Sequence, residues 1–132
     1  MSQPSTEPAA PAPGAPSGSR RTASVVCFSE ALVMAGFGVF YLIELLRGEG
    51  SDQMRVLTSA VLIVVFAGLV GVLGRLWLGR SDWPMTPTIV WHVILIPVAV
   101  GVVQSGQLLI GALIGVAVVA GIGSALAACR VA

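Results

Sequence analysis

An all-α chain, a bundle of four transmembrane helices behind a disordered N-terminal tail, is the architecture expected of this sequence, and three features point to it. From Trp83 to Cys129 the chain runs 47 residues without one Asp, Glu, Lys or Arg. A single crossing of a hydrocarbon core about 30 Å thick takes only ~20 residues. The stretch therefore holds two crossings, and Gln104-Ser105-Gly106-Gln107 supplies a tight turn near its middle. Two more apolar segments precede it. Composition agrees: 56% of residues are hydrophobic, 10% are charged and mean hydropathy is +0.96. Soluble proteins carry roughly 25% charged residues, so lipid is the expected solvent for most of this chain.

Residues 1–20 are rich in Pro, Ala and Ser and carry too little apolar surface to offset the entropy of ordering. They read as a disordered cytoplasmic tail, and residues 21–132 as a four-helix transmembrane domain. The first span covers about 23–46. A twin-Arg export signal would place bulky apolar residues soon after Arg20-Arg21, where Thr22-Ala23-Ser24 stand instead. A lipoprotein cysteine follows an apolar stretch, whereas Cys27 opens one. A cleavable signal has a shorter apolar core and a small-residue cleavage site, so this segment is expected to stay as a helix. The second span covers about 54–78, with no charge from Val56 to Gly74. The third covers about 86–103, with Thr86 as the expected N-cap and Pro87 as its first helical residue. The fourth covers about 107–129 and is closed by Arg130.

Arg residues set the expected orientation, because basic residues accumulate on the cytoplasmic side. Arg20, Arg21, Arg75, Arg80 and Arg130 fall on one side and only Arg47 and Arg55 on the other. Both termini are therefore expected in the cytoplasm, in a multi-pass protein of the cell (plasma or inner) membrane. Tyr41, Trp77 and Trp83 lie near span ends, as in an aromatic belt. The net charge of +1 carries no message about nucleic acid and there is no basic block to form a phosphate-binding patch, so no nucleic-acid partner is expected. All basic residues are Arg, and Lys and Asn are absent, a coding bias that points to a GC-rich bacterial genome. Cys27 and Cys129 sit near one membrane face and read as small packing residues. No spacing of Cys, His or acidic residues suggests a metal, cofactor or catalytic set, so neither cofactor nor enzymatic activity is expected.

Ionisable groups at membrane depth are functional candidates by default. Glu30, Arg75 and His92 fall in the same leaflet on three different helices, a candidate intramembrane polar cluster or proton site. Glu30, Phe37 and Glu44 recur at seven-residue spacing, which with Met34 and Tyr41 marks the side of the first helix expected to be buried. Gly68, Gly71 and Gly74 in the second helix, and Gly111 and Gly115 in the fourth, are candidate helix-packing sites, since small residues let helix backbones approach closely in lipid. Pro97 removes a backbone hydrogen bond in mid-helix and is the expected kink.

Trp83, Pro87, Val90-Trp91, Pro97-Val98-Ala99 and Gln104, at these spacings, resemble a group of uncharacterised small four-helix integral membrane proteins of actinobacteria. The resemblance is strongest over residues 80–104 and implies the four-helix membrane fold. It carries no activity, and His92 stands where a glutamine is usual in that group. Two functions remain as expectations. The first is a small polytopic membrane protein without catalytic signature, structural or accessory, that packs against itself as a homo-oligomer or against a larger membrane complex. The alternative is a small proton-coupled transporter or channel using Glu30 and His92.

Overall fold

The computed structural model describes residues 17–48 and 52–130. It contains four helices, α1 (Gly18–Arg47), α2 (Gln53–Trp77), α3 (Met85–Gln104) and α4 (Leu108–Arg130), and no strand among the described residues. Each helix is long and apolar enough to cross a membrane. Most of the tail expected to be disordered, residues 1–16, lies outside the described residues. Its last part is helical: α1 starts at Gly18, five residues before the expected boundary. Ser17 caps this extension, its side chain accepting from the Arg20 N–H, and Thr22 Oγ1 donates back to the Gly18 carbonyl. Composition read these polar residues as tail, but their hydroxyls and the burial of Arg20 hold them in the helix.

At the head of α2, Asp52 accepts from the Arg55 N–H at 3.1 Å. The head of α3 differs from expectation. Pro84, with helical φ and ψ, occupies the cap position without a side-chain bond, and Met85 is the first helical residue. Thr86 and Pro87 therefore fall second and third. The N–H groups of a first turn have no carbonyl within the helix to meet, so proline is tolerated in it. Between α3 and α4 the expected turn forms at Ser105-Gly106-Gln107. Gly106, at φ +87°, donates to the Val103 carbonyl, and Gln107 donates back to that of Val102. This pair of bonds closes the end of α3 through a residue that must be left-handed, which glycine does without strain.

The helices run up, down, up and down as two hairpins, α1 on α2 and α3 on α4, joined by packing of α1 on α4. The start of α1, the end of α2, the start of α3 and the end of α4 share one end of the bundle. The main core cluster lies towards this end: Ala23, Cys27, Val70, Trp77, Ala125 and Ala128. Small residues on α1 and α4 let those two backbones approach. Beyond the core, the faces exposed from the bundle are apolar, as a lipid-facing surface requires.

On α1 the buried and half-buried side runs through Ala23, Cys27, Glu30, Met34 and Gly38, while Phe37 is exposed. Tyr41 and Glu44 are half-buried as expected, and α2 meets α1 at Gly38, where an added Cβ would lie 3.0 Å from Val64 Cγ2. Trp77, expected in an interfacial belt, is fully buried, whereas Trp83 is exposed. The helix α3 runs unbroken through Pro97, which is also exposed.

The expected packing glycines divide into two kinds. Gly71 and Gly74 face α1, where an added Cβ would lie 3.8 Å from Ala31 and 3.3 Å from Cys27 and Phe28 respectively. Gly111 faces α3, where an added Cβ would run into Val103 and lie 3.1 Å from the Ala99 carbonyl oxygen. Gly68 and Gly115 have open space over their Cα atoms.

Candidate functional site

Inside the core end of the bundle a chain of polar side chains links α1, α2 and α3. It begins at Arg20, whose side chain is buried although the residue lies in the first turn of α1. Arg20 Nη1 pairs with Asp82 Oδ1 at 2.7 Å, Nε donates to the Trp77 carbonyl at 3.3 Å, and Nη2 donates to the Ser81 carbonyl. Its guanidinium also lies 5.4 Å from the Trp77 ring centroid, within cation–π range. Trp77 Nε1 then donates to Thr88 Oγ1 at 2.9 Å. One turn along α3, His92 Nδ1 lies 2.7 Å from the Thr88 carbonyl oxygen.

His92 is fully buried and its Nε2 approaches Glu30 Oε1 to 3.1 Å. The approach is within ion-pair distance but out of line for a hydrogen bond, and neither atom has another partner among the described residues. The other carboxyl oxygen is clamped, with Trp91 Nε1 donating to Glu30 Oε2 at 3.0 Å. Trp91 is held in turn by stacking on Phe66 of α2, with ring centroids 5.5 Å apart. The opposite wall is Gly121 of α4, where a Cβ would overlap the imidazole ring. Ser24 Oγ, donating to the Gly74 carbonyl at 2.8 Å, ties α1 to α2 nearby.

Of the three residues expected to cluster, Glu30 and His92 meet. Arg75 is exposed and lines an outer furrow with Phe28, Gly68, Gly71, Val72 and Leu78. The arginine that enters the interior is Arg20, which sequence reasoning used only for topology. Thr88 follows from helical spacing once His92 is chosen, since it lies one turn before it on the same side of α3, whereas Trp91, its chain neighbour, is turned about 100° away and left no such signal. Gly121 also left a signal. Gly121, Ser124, Ala125 and Ala128 recur at helical spacing and form the buried face of α4, a pattern as clear as the Gly111/Gly115 pair that drew attention instead.

The fold and site define a four-helix protein of membrane-spanning dimensions organised around a buried acid–imidazole pair. Neither a protein-family model, nor a curated protein, nor a solved structure matches this chain.

Proposed function

We propose that this chain is a small multi-pass protein of the cell membrane, both termini cytoplasmic, that acts without enzymatic chemistry by packing against a second copy or a larger membrane complex. The observation that carries this reading is the outer face of the α1/α2 hairpin. There Phe28, Ala31, Ala35, Ala67 and Gly68 line an apolar furrow beside Leu32 and Val39. A furrow floored by small residues accepts a foreign helix closely, which is how helices associate where lipid removes any hydrophobic drive. The Arg distribution supports the orientation, with Arg20, Arg75, Arg80 and Arg130 at one end of the bundle and Arg47 and Arg55 at the other.

A Cβ at Gly68 meets no atom within 4 Å, and Gly68→Leu places its side chain in the furrow. It is expected to leave insertion and melting unchanged while abolishing co-purification of a second copy or partner in mild detergent. Mass spectrometry of the purified material reads the result, and unaltered association would remove the furrow from the argument.

The close approach of Glu30 and His92 favours a second reading, a small proton-coupled transporter or channel. In that case Glu30→Gln, which keeps the side-chain volume, is expected to abolish proton flux into proteoliposomes while the protein still inserts. Normal insertion with undiminished flux would end this alternative.

A further inference from the structure

The neighbours of His92 determine which of its nitrogens carries a proton. A carbonyl oxygen only accepts, so Nδ1, 2.7 Å from the Thr88 oxygen, is protonated in either charge state of the ring. In the neutral ring Nε2 is then a bare lone pair, and it sits 3.1 Å from Glu30 Oε1. Both atoms are sealed from solvent and have no other hydrogen-bond partner among the described residues. That separation leaves no space for a water between them.

Three occupancies of the pair are then distinct. With no proton beyond that on Nδ1, a carboxylate oxygen faces a lone pair and a negative charge is buried unpaired. With two, a carboxylic acid adjoins an imidazolium and a positive charge is buried unpaired. With one, on either atom, the pair is neutral and the contact is attractive. Burial of an unpaired charge is strongly unfavourable, so the single-proton state is the one this packing suits.

No neighbouring charge alters that balance among the described residues. On α1, Cys27 is the other ionisable group close by, and Arg20 is engaged by Asp82 and two carbonyls. On α2, Arg75 is exposed in the outer furrow. On α4, Gly121, Ser124 and Ala125 carry no charge, and the Cys129 thiol lies against Met85 Sδ at 3.0 Å.

We propose that Glu30 and His92 together form a binding site for a single hydrogen ion, carried on either Oε1 or Nε2 at the junction of α1, α3 and α4. Trp91 fixes the acid, Thr88 fixes the imidazole, and Gly121 admits the ring. The site stands independently of the association reading and of whether the chain carries a proton flux.

The chain contains one histidine, so nitrogen-15 labelling of histidine reports on His92 alone. The full-length protein is placed in lipid nanodiscs at about pH 7, above the ordinary carboxyl range, and its nitrogen spectrum and infrared carboxyl region are recorded. The expected result is a protonated Nδ1 together with one of two signals, an imidazolium or a protonated glutamic acid. Both signals together, neither of them, or a bare Nδ1 would overturn the proposal using the wild-type protein alone. A second arm compares wild type with Glu30→Gln between about pH 5 and pH 8, where imidazoles titrate. The proton concentration at which the Nε2 signal changes is expected to differ at least tenfold, and coincident curves would overturn the shared site.

Discussion

Gly121→Ala is expected to lower stability more than any other single-methyl addition to this chain. The new Cβ would occupy the space of the His92 ring, and the ring has nowhere to retreat. Nδ1 is held by the Thr88 carbonyl, Nε2 faces Glu30, and the side chain is fully buried. Either α4 moves away, opening the contact that joins the two hairpins, or the imidazole swings out and leaves Glu30 buried without its partner. Overpacking of a filled interior costs about 1–3 kcal/mol and occasionally more, and loss of the pair adds to it, so roughly 3 kcal/mol or more is expected. Thermal unfolding in detergent, followed by helical circular dichroism, measures it. Gly115→Ala and Gly123→Ala are the controls, since a methyl meets nothing at either position. They are expected within about 1 kcal/mol of wild type, on the stabilising side, because alanine favours helix over glycine. A Gly121→Ala protein that melts with those controls would show that α4 does not pack on His92.

Arg20→Met is expected to cost about 2–4 kcal/mol, the range for removing a buried charged donor and leaving its acceptors unpaired. Methionine keeps the apolar stem but deletes the donors to the Trp77 and Ser81 carbonyls and the charge above the Trp77 ring. Those carbonyls lie at and just beyond the end of α2, where a cation also complements the helix dipole. Asp82→Asn is expected to cost less, roughly 1 kcal/mol or below, because Asp82 is more than half exposed and water screens its pair. Arg21→Met, one residue along but exposed, should melt like wild type. Arg20→Lys should recover only part of the loss, since an ammonium cannot span three acceptors as the planar fork does. Equal melting of Arg20→Met and Arg21→Met would mean that the start of α1 is not anchored to the α2–α3 connection.

The number, order and approximate limits of the helices were legible because each rests on a local quantity: a run of apolar residues about one bilayer long, ended by Arg, Asp or a glycine turn. The turn at Gly106 was legible for the same reason. The misreadings were also local. Residues 18–22 are polar in composition, and only the capping by Ser17 and the burial of Arg20 bring them into α1. Trp77 lies near a span end, where a belt is the ordinary reading, yet its Nε1 finds Thr88 eleven residues later. The seven-residue spacing placed Phe37 with Glu30, but α2 crosses at Gly38.

Hydropathy alone was enough to establish that the chain is helical, has four spans and brings Glu30 and His92 to one end of the bundle, because partition into hydrocarbon depends on residue type and run length. It did not choose between Arg75 and Arg20 as the interior arginine, or between Gly115 and Gly121 as the glycine an opposing side chain demands. Those choices rest on which helix faces meet. In an apolar bundle nearly every face is hydrophobic, so periodicity carries little information about facing. The facing is set by the packing of α1 on α4 through Ala23, Cys27, Ala125 and Ala128, which brings small residues together and leaves an imidazole, a carboxyl and an indole against one another in the space between.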